Sequence, residues 1–270
     1  MDYFDNHIHI ARLLRPLEMA RELHERGYKY MAVACEPWEW KAVKELWEKA
    51  SAEGWQNGCG FSFGVHPMVA ADVACKLRDS SSDECWPEMR RLLKEFPDAQ
   101  VGEAGLDKRY AGYEPGGIQE EVFRMQAEMA LEFGRDLQIH CVGDYGRVVN
   151  ILREVGFSDV RTGDAACEKC VAGVKRSRPI FHRFGGDAGI VKAGISLGAI
   201  FSIHADSFRK KATREALALI PAENMRFETD ADETFVASHG LKDSDSPKDV
   251  AKALESALRD VFTRFSPARE

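Results

Sequence analysis

AQVGEAGLDKRYAGYEPGGIQEEVFRMQAEMALEFGRDLQIH, residues 99–140, decides the fold. It opens on a short β-prone run, Ala99 to Gly102, and closes on another, Leu137 to His140. Between them, QEEVFRMQAEMALEFG carries apolar residues at helical spacing, and Gly134 supplies the stop. Two strands joined through a helix run parallel, since a tight hairpin cannot connect them. The same unit recurs outward in both directions. Tyr3 to His9, Tyr30 to Ala34 and Gly60 to Val65 precede it; Pro179 to His182, Ala199 to Ile203 and Met225 to Thr229 follow. Helical segments such as LEMARELHERG, closed by Gly27, lie between the runs. No glycine-rich dinucleotide fingerprint follows the first run, so the repeated units predict an α/β fold of the closed (β/α)8 barrel type rather than an open doubly wound sheet.

A chain of 270 residues with 44% hydrophobic content suffices for one such barrel, expected as a single domain over residues 1–270. MDYFDNHIHI has no basic stretch followed by an apolar one, and no uncharged apolar run is long enough to cross a bilayer. The expectation is a cytoplasmic protein without a membrane or an inferable protein partner. Seven scattered cysteines suit free thiols better than disulfides. A formal charge of −7 argues against a broadly basic nucleic-acid face but leaves room for a local positive site. Two stretches interrupt the rhythm, Ala70 to Asp83 and Gly156 to Arg178, and read as loops or short insertions. SPKDVAKALESALRDVFTRF reads as the last helix, with Ser246 capping ahead of Pro247.

In this architecture active sites gather at the C-terminal strand ends. His7 and His9 end the first run, Glu103 follows the fourth, His140 ends the fifth, His182 the sixth, and Asp230 follows the eighth. Imidazole and carboxylate together suit divalent Zn, Mn, Fe or Co, with Mg also admissible, and the ligand types do not choose among them. Residues two apart on a strand point the same way, so His7 and His9 can face one ion while Asn6 and Ile8 face away. A lone histidine is more often structural than functional. Four of only eight histidines at predicted strand ends reverse those odds. Two metals roughly 4 Å apart can activate a water and stabilise the attacked and leaving oxygens of a phosphodiester. Two carboxylates against two dications leave such a site positive.

FDNHIHI, FGVHP, VGEAGLD, QEEVFRMQAEMALEFGRDLQIH, PIFHRFGG and RFETD, in this order over nearly the whole chain, resemble the motif series of the TatD-like metal-dependent hydrolases within the amidohydrolase superfamily. The resemblance implies deoxyribonuclease chemistry with two divalent ions. One would be held by His7, His9 and Asp230, the second by His140 and His182, with Glu103 bridging. Asp230 would serve as general base if one oxygen is free. DNA or a small phosphodiester is the implied substrate. The chain departs from the family where His140-Cys141-Val142 replaces His-Ser-Arg, and where Asp232, beside Glu233, replaces a proline. Both changes weigh against a polyanion in the substrate pocket.

His66, in the FGVHP turn, resembles the family's substrate-pocket histidine. His204 is a candidate for the pocket wall, and Arg183 for the missing cation; a structural hydrogen bond and a salt bridge are their plain alternatives. Asp107 and Glu228 are candidates for orienting ligands, with capping and strand packing equally open. His24 and His239 read as exposed. Cys167 and Cys170 form a CxxC without a second pair, so two accessible thiols are expected rather than a zinc site. GISLG, residues 194–198, matches a serine-hydrolase string, but that string requires a strand before it and a helix after, and here the order is inverted. Ser196 is therefore discounted as a nucleophile. A hydrolase of small esters, lactones or amides is the competing activity, and a non-catalytic metal-binding barrel a third reading.

Overall fold

The computed structural model describes residues 4–55, 58–73, 85–158, 177–242 and 245–265. Eight strands close a parallel barrel in sequence order: β1 (Phe4–Ile8), β2 (Lys29–Ala34), β3 (Gly60–Phe63), β4 (Gln100–Asp107), β5 (Leu137–Val142), β6 (Pro179–Phe181), β7 (Ile200–Ile203) and β8 (Met225–Phe227). All eight expected strands are present. Around them lie α1 (Pro16–Glu25), α2 (Pro37–Glu53), α3 (Cys85–Glu95), α4 (Ile118–Phe133), α5 (Tyr145–Val155), α6 (Ala188–Ile195), α7 (Lys211–Leu217), α8 (Glu233–Ser238) and α9 (Pro247–Phe265).

The helices obey the spacing that predicts them. In α9 the buried residues Val250, Ala251, Leu254, Leu258, Val261 and Phe265 form one stripe, and this helix packs on α1, whose buried residues are Met19, Ala20 and Leu23. Ser246 caps α9 weakly, its Oγ 3.4 Å from the Asp249 N–H. Gly134 ends α4 in the left-handed conformation at φ 64°. No helix among the described residues is long and apolar enough to cross a membrane. Tyr3, most of the 70–83 stretch and residues 159–176, with Cys167 and Cys170, lie outside the described residues.

Two boundaries differ from the sequence reading, and both matter for the site. β1 stops at Ile8, so His9 sits just beyond the strand, where its N–H donates to Ala231 O at 2.9 Å. Asp230 N–H donates to His7 O, also at 2.9 Å. Closure of β1 against β8 thus brings His7, His9 and Asp230 together. β4 runs on through Glu103 to Asp107 instead of stopping at Gly102. The continuation depends on two glycines with positive φ, Gly102 at 117° and Gly105 at 154°. A Cβ at Gly102 would lie 2.4 Å from Gln138 O, and one at Gly105 only 1.9 Å from His140 O. With hydrogens in their place, β4 lies close on β5 and pairs with it on both sides of a register shift between Val101 and Ala104, Gly105 opposite His140.

Gly105→Ala is expected to destabilise the fold by about 3 kcal/mol, because φ and space both reject the methyl group. A urea denaturation curve reads this directly. An unchanged midpoint would contradict the close approach of β4 and β5.

Candidate metal centre

Glu103 is the residue around which the site is arranged. It is buried, and its two carboxylate oxygens face different imidazoles. Oε2 lies 3.3 Å from His7 Nε2 and 3.6 Å from His9 Nε2; Asp230 Oδ1 completes that group at 3.8 and 3.4 Å from the same nitrogens. Oε1 lies 2.8 Å from His182 Nε2 and 2.7 Å from His140 Nδ1. All six residues singled out at the strand ends therefore meet in one place.

The partner on each ring's far nitrogen decides which nitrogen offers a lone pair. His9 Nδ1 is 3.2 Å from Val33 O, an acceptor only, so its hydrogen sits there and Nε2 is free. His7 Nδ1 meets Gln138 Oε1 at 3.3 Å. That amide is oriented by its own Nε2, which donates to Asn6 O and Gln100 Oε1. His140 is turned the other way: Nε2 meets Asp107 Oδ2 at 2.9 Å, leaving Nδ1 toward Glu103. His182 Nδ1 has Glu228 Oε1 at 3.3 Å. In their neutral forms the four rings thus turn their lone pairs toward one carboxylate. Asp107 and Glu228, open to a plain structural reading from sequence, stand behind ligand candidates.

His66 and His204 have the opposite arrangement. His66 Nδ1 accepts the Met68 N–H at 3.0 Å, and His204 Nδ1 the Asp206 N–H at 3.1 Å. The neutral rings carry their hydrogen on Nε2. His66 Nε2 points at the cluster, 3.6 Å from Glu103 Oε1, as a donor rather than a lone pair. Burial pushes the His66 pKa down to about 3, so the ring remains neutral. His204 lines a cavity of about 390 Å³ with Arg183, Asp206 and Asp230.

Arg183 lies beside that cavity with its backbone in the left-handed region, φ 44°, as does Asp230 at 51°. Its N–H donates to Glu228 Oε1, and its guanidinium spans Asp206 and Asp230, with Nη1 2.5 Å from Asp230 Oδ2. The outer oxygen of Asp230 is therefore not free. Burial opposes ionisation of Asp230, but the His9 hydrogen bond and the charges of His182 and His7 outweigh it and hold the carboxyl well below its usual range. Ser196 ends α6 and donates its hydroxyl to Ala193 O, in the inverted context expected for it. His24 and His239 are exposed; His239 stacks on Phe235.

Several residues of the site escaped sequence reasoning. Gln119 and Gln126, both fully buried on α4, bind backbone rather than each other. Gln126 accepts Val65 N–H and donates to Val65 O, fixing the loop that carries His66. Gln119 accepts Asp107 N–H and donates to Asp107, Tyr110 and Ala111 carbonyls, fixing the loop beyond β4. Their signal is visible in retrospect: both fall within the apolar stripe of Val122, Phe123, Ala127 and Ala130. Cys35, buried after β2, places Sγ 3.1 Å from Glu103 Oε2, but it approaches His9 from the Nδ1 side, at 3.7 Å. It supports the shell rather than facing its centre.

The donor set fits a divalent ion. His7 Nε2 is buried without a hydrogen-bond partner, an arrangement that is costly unless a cation takes the lone pair. The spacing of His7, His9, Glu103 and Asp230 donors matches that of atoms set about 2.1 Å from a common tetrahedral centre.

The TatD related DNase family matches residues 4–259 of the chain. A Mycobacterium tuberculosis protein called an uncharacterised metal-dependent hydrolase TatD is 26% identical over 84% of this chain and 78% of its own length. A Pantoea ananatis protein named a 3'-5' ssDNA/RNA exonuclease TatD is 28% identical over 67% of this chain, which spans only 60% of that protein. A crystal structure of an uncharacterised amidohydrolase from Saccharomyces cerevisiae superposes with a TM-score of 0.66 at 15% identity, covering both chains fully, and supports the fold. The chain belongs to the TatD-related DNase family.

Proposed function

We propose that this chain is a metal-dependent phosphodiesterase acting on single-stranded or terminal DNA. The observation that carries the proposal is the division of the Glu103 carboxylate between two groups of imidazoles. His7, His9 and Asp230 would hold one ion, His140 and His182 a second, and Glu103 both. Bound there, two divalent ions supply an activated water and stabilise charge on the attacked and leaving oxygens of the diester. The Pantoea relative's name as an exonuclease supports the same substrate class.

The chain's own groups then have distinct tasks. His66 offers its Nε2 hydrogen to a phosphoryl or leaving oxygen. Arg183, at the edge of the cavity with His204, would supply the cation that is missing after His140. While it pairs with Asp230 Oδ2, that carboxylate cannot accept a proton. An incoming phosphate competes for the guanidinium and frees Asp230 to act as general base. The charge balance depends on arginine. Asp107 and Glu228 join Glu103 and Asp230, so four carboxylates would offset two dications; Arg109, bound through Asp107, and Arg183 restore the positive field.

Chelation is expected to abolish cleavage of a small phosphodiester and of single-stranded DNA, and readdition of a divalent ion to restore both. Ser196→Ala should leave the rate unchanged. Metal-independent activity, or turnover of lactones or amides without any diester cleavage, would sink the proposal.

A second expectation follows from proton occupancy. Burial opposes a charge on His9, but the Asp230 hydrogen bond and the Glu103 and Asp230 charges outweigh it and leave its pKa raised to about 9. Burial is likewise outweighed at His182 by Glu103 and Glu228, and at His140 by hydrogen bonds to Asp107 and Glu103. These rings must be neutral to bind metal, so loading at pH 7 should release protons and tighten as pH rises toward 9. Titration calorimetry in buffers of different ionisation enthalpy measures the release; a buffer-independent heat would contradict it.

A further inference from the structure

Four large hydrophobic side chains stand exposed among the described residues: Leu14, Trp38, Tyr110 and Leu219. Three of them follow β1, β2 and β4 at the end of the barrel that carries the metal centre, whereas Leu219 precedes β8. The two aromatic members share further features. Trp38 is 55% exposed at the start of α2, with the Arg12 guanidinium 5.9 Å from its ring centroid. Tyr110 is 39% exposed, and Arg109 stands 5.7 Å from its ring. Lys108, Arg109 and Tyr110 are consecutive and all exposed, and the guanidinium against the Tyr110 ring is itself bound to Asp107.

Tyr110 is also tied to the centre. Its ring lies 6.1 Å from that of His66, which lies 4.3 Å from that of His140. Gln119 grips the Tyr110 carbonyl, so the loop is held rather than draped. Arg12 links Trp38 to buried Glu39, which accepts the Cys35 N–H beside Glu103. The loops after β2, β3 and β4 therefore present Trp38, His66 and Tyr110 along one side of the site. An aromatic ring exposed at a functional mouth is the arrangement that stacks a base, and here Arg12 and Arg109, paired with Glu39 and Asp107, hold the surroundings of the rings in place.

We propose that Trp38 and Tyr110 are base-stacking platforms that seat unpaired nucleobases adjoining the phosphodiester held at the metal centre. The inference rests on the phosphodiesterase reading of that centre and adds the residues that select a single strand. A duplex cannot use them, because its base faces are already stacked on neighbours.

The test is anisotropy of the metal-loaded protein with a fluorescein-labelled octathymidylate carrying phosphorothioate linkages, compared with an abasic oligomer of the same length and linkage. The unaltered chain should bind the base-bearing strand at least tenfold more tightly than the abasic one. Trp38→Ala and Tyr110→Ala should each weaken octathymidylate binding about tenfold and leave abasic binding within about twofold. Trp38→Phe and Tyr110→Phe should retain most of the affinity. Equal binding of the two oligomers, equal losses on both in the alanine variants, or a blunt duplex bound as tightly as the single strand would each overturn the proposal. Hydrolysis of methyl 4-nitrophenyl phosphate by the unaltered chain is measured in parallel. Having no nucleobase, that substrate reports on the phosphodiesterase reading alone, so failure of either idea is distinguishable from failure of the other.

Discussion

A carboxylate buried among imidazoles is stable only if each ring offers it a matching charge or both share a cation, and Glu103 imposes that condition on everything near it. Burial raises the cost of its charge; the charge of His182 and the hydrogen bond with His140 outweigh that cost and keep it ionised. The requirement propagates outward. Gln138, Val33 O, Asp107 and Glu228 each stand behind one ring and set which nitrogen it presents. Behind them in turn are Arg109 on Asp107 and the backbone of Arg183 on Glu228. The centre is thus two layers of polar contact, the outer one determining the chemistry of the inner.

The barrel makes these layers possible by geometry alone. Neighbouring parallel strands end side by side, so residues far apart in sequence reach one rim without a loop having to place them. His7 and Asp230 meet because β1 and β8 are hydrogen-bonded neighbours; Glu103 and His140 meet because glycines let β4 lie close on β5. Helix α4 supplies the remaining precision. Its two buried glutamines satisfy loop backbone that would otherwise be unpaired, and in doing so hold His66 and Asp107 in place.

The parts of this arrangement legible in the sequence are those set by local patterning. Alternating β-prone and helical runs locate all eight strands, and residue type at strand ends locates His7, His9, Glu103, His140, His182 and Asp230. The rest depends on partners that no local pattern names. Histidines look alike in sequence, yet His140 presents Nδ1 and His182 presents Nε2, while His66 and His204 use Nδ1 to accept backbone N–H groups. The pairing of Arg183 with Asp230 Oδ2 joins β6 to β8 and depends on backbone angles that composition does not predict. Gly102 reads as the end of a strand because glycine usually weakens one; here the absent side chain is what lets the strand continue.

Metal stoichiometry decides whether one carboxylate serves two ions. After reconstitution and removal of free ion, elemental analysis of the unaltered chain, Glu103→Ala and His140→Ala gives three numbers to compare. Metal is expected to be lost from both positions in Glu103→Ala and mainly from one in His140→Ala, with circular dichroism showing the barrel intact in each. Full metal content in Glu103→Ala would contradict this, and the carboxylate at the middle of the site would have to be assigned some other role.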